Sequence, residues 1–167
     1  MNPRPAPTTV VRWPDRARPD RRGPAGLLAA YHLRTQAEKG EAVAGVDDLP
    51  ERYRAEVADP RTAFAGDVVL LAVAGDTDLG CMVLTAPADG VAEIKRLWTD
   101  PAHRGRGVAS ALVRAALAEA AASGVATLRL SVWDWRGDAI ALYERLGFVP
   151  AASHDPRPRL LYMSRPV

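Results

Sequence analysis

Residues 103–112 read HRGRGVASAL, with two glycines and two arginines between an apolar segment and an alanine-rich one. Glycine adopts backbone dihedral angles that other residues avoid, and it lets a ligand approach the main chain closely. The first N–H groups of a following helix are unpaired and point out of its end, where the helix dipole favours negative charge. The stretch therefore predicts a phosphate or pyrophosphate site, to which Arg104 and Arg106 add full positive charges.

The loop has two alternative interpretations besides a phosphate site. Two glycines also suit an ordinary surface turn before a helix, and the residues leave that alternative open. A Walker loop is excluded because no Gly-Lys-Ser/Thr follows. The run from Gly105 to Ser110, with Asp134 ending the next strand, is close to the fingerprint of a Rossmann dinucleotide unit. We rank that interpretation second, because TDPAHR separates the strand from the first glycine and too little chain remains for a second half-sheet.

The segments around the loop predict mostly antiparallel strands, with one strand–loop–helix–strand crossover at the centre. Asp48 is the expected N-cap of the second helix, and Pro50 would lie near its first turn. Apolar runs at 67–76 and 78–87 predict a hairpin, because GDTD between them is typical of a turn. Further strands are predicted at 8–13, 91–100, 125–134 and 159–165, and helices at 25–40, 48–59, 109–123 and 138–147.

Length and composition indicate one globular domain, because the chain has 167 residues of which 48% are hydrophobic. We expect that domain over residues 8–167, after a flexible arm at residues 1–7 that contains proline and arginine. The net charge of +2 comes from scattered arginines, so we expect no binding to nucleic acid.

The location of the protein is expected to be the cytoplasm. No apolar run approaches the roughly 18 residues that a membrane span needs, so we expect no membrane partner. The first 24 residues lack the apolar core of a signal peptide. Cys81 is the single cysteine, which excludes an intramolecular disulfide, and its thiol is expected to fill space in a strand.

Two motifs carry a resemblance to a known family over roughly residues 8–165. EIKRLWTDPAHRGRGVASALVRAAL, followed by AIALYERLGF, resembles the GCN5-related N-acetyltransferases, the GNAT superfamily. Arg104, Gly107 and Ala109 match its phosphate motif, and the later tyrosine-helix pattern is matched by Ala139, Leu142, Tyr143, Gly147 and Phe148. The resemblance implies a mixed α/β (α+β) fold with about four helices. Its central sheet would have six to seven mostly antiparallel strands, the fourth and fifth of which are parallel and splay apart.

The resemblance also implies that acetyl-coenzyme A is the co-substrate and occupies the slot between the splayed strands. Its pantetheine arm would lie along Leu97, Trp98 and Thr99, as an added strand would. Its pyrophosphate would bind the main-chain amides of Arg104, Gly105, Arg106, Gly107, Val108, Ala109 and Ser110. Many relatives carry an asparagine where this chain has Arg136, and we expect that arginine to be able to reach a phosphate instead.

Glu93 and Tyr143 are the expected catalytic pair. An amine acceptor is mostly protonated at neutral pH and needs a base, and Glu93 resembles the glutamate that acts directly or through water in some members. The alternative is a solvent-facing Glu93 paired with Lys95 or Arg96. Tyr143 matches the tyrosine that protonates the leaving thiolate in many relatives, while its helical spacing also fits a core residue. Amides near Leu97 would stabilise the oxyanion if the strand bulges there.

The acceptor amine, either a small molecule or a peptide, is not identified by the sequence. Asp47, Asp48, Glu51, Trp133 and Trp135 would suit a cationic amine, or they form an ordinary solvated loop with buried indoles. A non-catalytic acyl-coenzyme A sensor is the alternative function, and a homodimer stays open. No metal site is expected.

Overall fold

The computed structural model describes residues 6–153 and 155–167, which form one seven-stranded sheet with helices on both faces. The strands are β1 (Thr9–Trp13), β2 (Val68–Ala74), β3 (Thr77–Leu84), β4 (Val91–Thr99), β5 (Thr127–Trp133), β6 (Val149–Ala151) and β7 (Leu160–Pro166). The helices are α1 (Ala25–Glu38), α2 (Glu51–Ala58), α3 (Pro60–Ala63), α4 (Val108–Ala122) and α5 (Gly137–Arg145). Of the predicted arm, residues 1–5 lie outside the described residues, and residues 6 and 7 belong to no helix or strand.

The strand order is β1-β2-β3-β4-β5-β7-β6, and β4 and β5 are the one parallel pair within the described residues. This topology confirms the predicted mixed sheet, with five helices instead of about four. It also shows that the Rossmann interpretation is wrong, since a doubly wound sheet requires successive parallel strands. No helix in the described part of the chain is both long and apolar enough to cross a bilayer.

Two hydrophobic clusters lie on opposite faces of the sheet. Leu128, Leu130 and Val132 of β5 pack in the cluster that contains α4 and Tyr143 of α5. The other cluster joins Leu28 of α1 to β2 and β3, and it contains Cys81. Strand β2 contributes to both clusters, because it is covered on both faces. That double burial explains why its sequence, VVLLAVA, is a continuous apolar run without alternation.

Strands β4 and β5 are paired only at one end. The paired residues run from Val91 to Ile94 on β4 and from Thr127 to Leu130 on β5. Beyond those residues the two strands no longer pair with each other, so the predicted splay is confirmed. Because unpaired strand edges leave N–H and C=O groups free, the gap offers hydrogen-bonding main chain on its walls.

A β-bulge interrupts β4 where the strands diverge. Cys81 of β3 lies opposite Trp98 and Val83 lies opposite Lys95, so Met82 faces two residues, Arg96 and Leu97. Arg96 has a φ of 57°, a left-handed conformation that is uncommon outside glycine. The condition for an oxyanion site near Leu97, a bulged strand, is therefore met.

The predicted N-cap of the second helix is wrong. Asp48 belongs to a short 3-10 turn, Val46–Asp48, and α2 begins three residues later, after Pro50. Leu49 between them is extended, with φ −67° and ψ 153°. The ring of a proline disfavours helical backbone at the residue before it, so the helix cannot begin before Pro50.

Candidate functional site

A cleft of about 1380 Å³ opens where β4 and β5 diverge. Its walls are the end of β4, the glycine loop with the first turn of α4, the end of β5 with α5, and parts of α1 and α2. Of the residues predicted for the site, those that line it are Glu93, Leu97, Trp98, Thr99, Arg104, Gly105, Gly107, Val108, Ala109, Ser110 and Tyr143. The fold therefore brings the two motifs of the sequence to one cleft.

The glycine loop presents unused main-chain donors at the start of α4. Gly107 is the N-cap residue, with φ 75° and ψ 14°, and no side chain caps the helix there. The bond from Ala111 N to Gly107 O, 3.0 Å long, is the first of the helix, so the amides of Val108, Ala109 and Ser110 precede its ladder. A Cβ on Gly105 or Gly107 would have no atom within 4 Å, so the backbone conformation, and not packing, requires glycine.

The two arginines of the loop take different positions. The Arg104 guanidinium lies 5.0 Å from the centre of the Trp98 ring, and its Nε is 3.5 Å from the Thr99 carbonyl oxygen. Arg106 is exposed and lies 3.4 Å from Nδ1 of His103, outside the lining of the cleft. Arg104 therefore places its positive charge at the cleft wall, whereas Arg106 lies outside the lining.

Tyr143 is both a packed residue and a residue of the cleft wall. It is 5% exposed, and its ring meets the Phe148 ring edge-on at 5.8 Å. Burial raises the pKa of the Tyr143 hydroxyl well above its usual range. The hydroxyl therefore stays protonated at neutral pH, as a proton donor must.

Glu93 lies on the paired part of β4 with its side chain 19% exposed. Its Oε2 is 3.4 Å from Nε of Arg129, the residue opposite it on β5. The expected alternative partners are wrong, because Arg96 contacts Glu56 and no Glu93–Lys95 ion pair is formed within the described residues. Parallel pairing places Arg129 beside Glu93, and nothing in the spacing of the sequence indicates that contact.

A buried polar network that the sequence did not indicate fixes the bulge residue. Arg96 donates two hydrogen bonds to the Glu56 carboxylate, of 2.8 and 2.7 Å, and His32 Nε2 lies 2.7 Å from the same carboxylate. Burial alone would raise the pKa of Glu56, but the hydrogen bonds from Arg96 and His32 lower it to about 2. Burial also lowers the pKa of His32, so that its ring is neutral at pH 7. The network holds Arg96 in its left-handed conformation.

Aromatic rings surround this network. The rings of His32 and Tyr53 are stacked 4.3 Å apart, and Tyr31 meets His32 edge-on at 5.2 Å. His32 and Gln36 are buried polar residues one turn apart on α1. The sequence shows their helical spacing but not their burial. Glu56 gave no signal, because its helix also carries the charged residues Glu51, Arg52 and Arg54, which are exposed.

Arg136 does not reach the phosphate site, which corrects the expectation. Its guanidinium donates to Oε2 of Glu38 at 2.9 Å and to Oγ1 of Thr35 at 2.8 Å, both on α1. The indole N–H of Trp135 also donates to Glu38, at 3.1 Å. These bonds fasten the end of α1 to the β5–α5 connection, and they occupy Nε and Nη2 of the guanidinium.

The residues expected to shape the acceptor site divide into two groups. Asp47, Asp48 and Glu51 are exposed and lie outside the lining of the cleft, so they form a solvated surface. Trp133 and Trp135 line the cleft with their rings stacked, 4.8 Å apart and 10° from parallel. The acids that do line it near α1 are Glu38 and Glu56, and both are bonded to arginine.

Comparisons with known proteins agree on one family. The sequence model of the Acetyltransferase (GNAT) family matches residues 27–148. The chain is 30% identical over 127 residues to the IAA acetyltransferase of Azospirillum brasilense, covering 71% of this chain and 83% of that protein.

Solved structures share the fold. A GNAT-family acetyltransferase of Staphylococcus aureus Mu50 has a TM-score of 0.71 at 14% identity, covering 96% of this chain and 99% of that one. The PaiA N-acetyltransferase of Thermoplasma acidophilum, solved with coenzyme A, has a TM-score of 0.69 at 17% identity, with coverage of 96% and 99%. At these identities the likeness concerns the fold alone.

Proposed function

Because the chain belongs to the GNAT family of acetyltransferases, we propose that it transfers an acetyl group from acetyl-coenzyme A to an amine by direct attack, with Glu93 as base and Tyr143 as acid. In this proposal the amine and the thioester meet in the cleft between β4 and β5. No acyl-enzyme is needed, because both substrates are bound together.

The cleft suits the co-substrate in shape and in charge. The amides at the start of α4 and the Arg104 guanidinium supply donors and positive charge for a pyrophosphate. The unpaired end of β4, from Leu97 to Thr99, offers main-chain groups to a peptide-like arm. The bulge at Arg96 turns the strand where the thioester carbonyl would lie, and amides near Leu97 then stabilise its developing negative charge.

Glu93 and Tyr143 supply the two proton transfers. Glu93 lines the cleft, and its carboxylate accepts the proton of the amine, directly or through water. Tyr143, whose raised pKa keeps it protonated, donates to the sulfur as the thiolate leaves. A thiol has a pKa near 8.5, so protonation of the departing sulfur by a correctly placed donor helps the C–S bond to break.

The observation that carries this proposal is the convergence of the glycine loop, the bulged strand and Tyr143 on one cleft. The test is the release of free coenzyme A from acetyl-coenzyme A with a panel of amines, with mass spectrometry of the products. We expect release that depends on the amine and an acetylated amine as product.

The alternative, an acyl-coenzyme A sensor, makes the opposite prediction for the same panel. Acetyl-coenzyme A would bind and raise the melting temperature, but no amine would release coenzyme A above the rate of spontaneous hydrolysis. Such a result would contradict the catalytic proposal and leave the binding site intact.

A further inference from the structure

The acceptor side of the cleft is the face of the sheet that α1 and α2 cover. Along β5, Leu128, Leu130 and Val132 point into the cluster with α4, so Ser131 and Trp133 point to the opposite face. Lys39, at the end of α1, confirms this direction because its ammonium lies 5.8 Å from the Trp133 ring centre. The chemistry of this chamber therefore depends on α1, α2 and the loop before β7.

Three acids of this chamber are paired with arginine. Glu38 is bonded to Arg136, Glu56 to Arg96, and Glu93 to Arg129. A cationic acceptor bound at Glu38 or Glu56 would have to displace an arginine. Because two of these ion pairs are largely buried, their disruption would leave a buried charge without its partner.

Two further acids line the cleft and have no basic partner among the described residues. Asp67 accepts a hydrogen bond from the Ala86 amide, at 3.0 Å. Asp138 lies in the first turn of α5, where the helix dipole favours its negative charge.

Among the basic side chains of the cleft lining, Lys39, Arg52 and Arg157 are available to a ligand. Arg52 contacts Tyr53, with its Nη2 3.0 Å from the hydroxyl, and it has no carboxylate partner among the described residues. Lys39 is paired at 3.4 Å with Glu41, which is 60% exposed. Arg157 is paired with Asp155, two residues away. Each pair leaves donors of the basic side chain unused within the described residues, so a bound anion can join the carboxylate.

These three cations flank an aromatic surface. Lys39 and Arg157 each lie 5.8 Å from the centre of the Trp133 ring. Arg52 lies 4.8 Å from the centre of the Tyr53 ring. Lys39 and Arg157 lie beside one indole, and Arg52 lies on α2. Together they form a pocket that is positive at its rim and apolar on its wall.

We propose that the acceptor carries an anionic group, a carboxylate or a phosphate, on the same molecule as its amine, and that Lys39, Arg52 and Arg157 bind this group beside Trp133. The inference rests on the proposed function, since it names the class of substrate for that site. It differs from the cationic acceptor that Asp47, Asp48 and Glu51 would have suited, because those acids lie outside the lining of the cleft. Fixing the anion at the rim leaves the amine free to point towards Glu93 and the thioester.

The test compares matched amines that differ in the anion. Amino acids with aliphatic and aromatic side chains are paired with their decarboxylated amines and their amides, and O-phosphoethanolamine is paired with ethanolamine. Coenzyme A release gives kcat/KM for each, corrected for the fraction of unprotonated amine. We expect the anionic member to exceed its neutral partner by roughly tenfold or more in the preferred series. The amino acid and phosphate arms show which anion is bound.

Variants connect this preference to the pocket. Arg52→Gln and Arg157→Gln should raise KM for the anionic amine by about tenfold while kcat stays close to normal. Arg159→Gln is the matched control, because Arg159 lies 5.0 Å from the ring of Trp135, the stacked neighbour of Trp133, but outside the cleft lining. It should change neither value, and the KM for acetyl-coenzyme A should be unaffected in all three.

The outcomes separate the two proposals. If neutral amines match or exceed their anionic partners, the anionic acceptor is overturned while the acetyltransferase proposal stands. If no amine releases coenzyme A, the proposed function fails. Calorimetry of the same amines with the coenzyme A complex then tests whether the pocket binds an anionic group. Binding of anionic amines that is lost in Arg52→Gln supports the pocket, and equal or absent binding of both members overturns it.

Discussion

Tyr143 belongs both to the hydrophobic core and to the wall of the cleft. Tyr143→Phe removes the hydroxyl and keeps the ring against Phe148. We expect turnover to fall by roughly 10- to 10³-fold, the usual range for losing one acid contribution, with little change in melting temperature. Measurement of kcat and thermal unfolding on the same sample checks this. Full activity in a folded variant would assign Tyr143 to packing alone.

Glu93 is the proposed base of the reaction. Glu93→Gln keeps the size of the side chain and removes its ability to accept a proton. Turnover should fall by about 10²-fold or more, and the acidic limb of the kcat/KM profile should disappear, while the affinity for acetyl-coenzyme A stays near normal.

The matched control for Glu93 is Glu144→Gln, an exposed residue of α5 outside the cleft lining, which should leave rate and profile unchanged. An unaltered pH profile in Glu93→Gln would assign deprotonation to another group or to bulk water.

At the scale of an element, the start of α4 depends on the left-handed conformation of Gly107. Gly107→Glu places a side chain and a negative charge where the pyrophosphate would bind. It should abolish the stabilisation by acetyl-coenzyme A, which mass action puts at about 2.7 kcal/mol at a hundredfold excess over Kd. Thermal unfolding with and without the co-substrate measures the effect.

Gly75→Glu is the control that separates backbone strain from the loss of acetyl-coenzyme A binding. Gly75 lies in the β2–β3 turn with φ 59°, and a Cβ there also meets no atom within 4 Å. Both variants should lose about 1–2 kcal/mol of stability from the left-handed backbone, but only Gly107→Glu should lose the response to acetyl-coenzyme A. A normal response in folded Gly107→Glu would place the phosphate site elsewhere.

At the scale of the whole molecule, the network of His32, Glu56 and Arg96 links stability to pH. Burial lowers the pKa of His32, so the unfolded chain binds the proton more readily than the folded one as the pH falls below about 6.5. The pKa of Glu56 in the folded protein is about 2, against 4.5 ordinarily. Its contribution is therefore complete above pH 4.5 and is lost as the pH falls towards 2.

We therefore expect the free energy of unfolding to decrease in two steps on acidification, the first due to His32 and the second to Glu56. Denaturant unfolding at pH 7.5, 5.5 and 4 measures the first step and the beginning of the second. His32→Gln keeps a donor to Glu56 but does not titrate, so the loss between pH 7.5 and 5.5 should be smaller in it. An equal loss in both proteins would show that other groups cause it.

The sequence alone predicted six of the seven described strands, four helices, the glycine loop and the two motifs, but not the short elements β6 and α3. Each predicted feature depends on signals within a few residues, such as apolar periodicity, turn residues and a glycine with positive φ. It also placed Glu93 and Tyr143 in the cleft, because the motif residues lie at fixed positions on β4 and α5.

The contacts of those residues with charged side chains from distant elements arise only in the tertiary structure. Arg129 contacts Glu93 from 36 residues away, Arg96 contacts Glu56 from 40, and Arg136 contacts Glu38 from 98. The bulge at Arg96 likewise depends on the register of β3 against β4. Such contacts arise when distant elements pack, and local sequence carries no information on which charged side chains will then be neighbours, because any of many arginines satisfies the same local pattern.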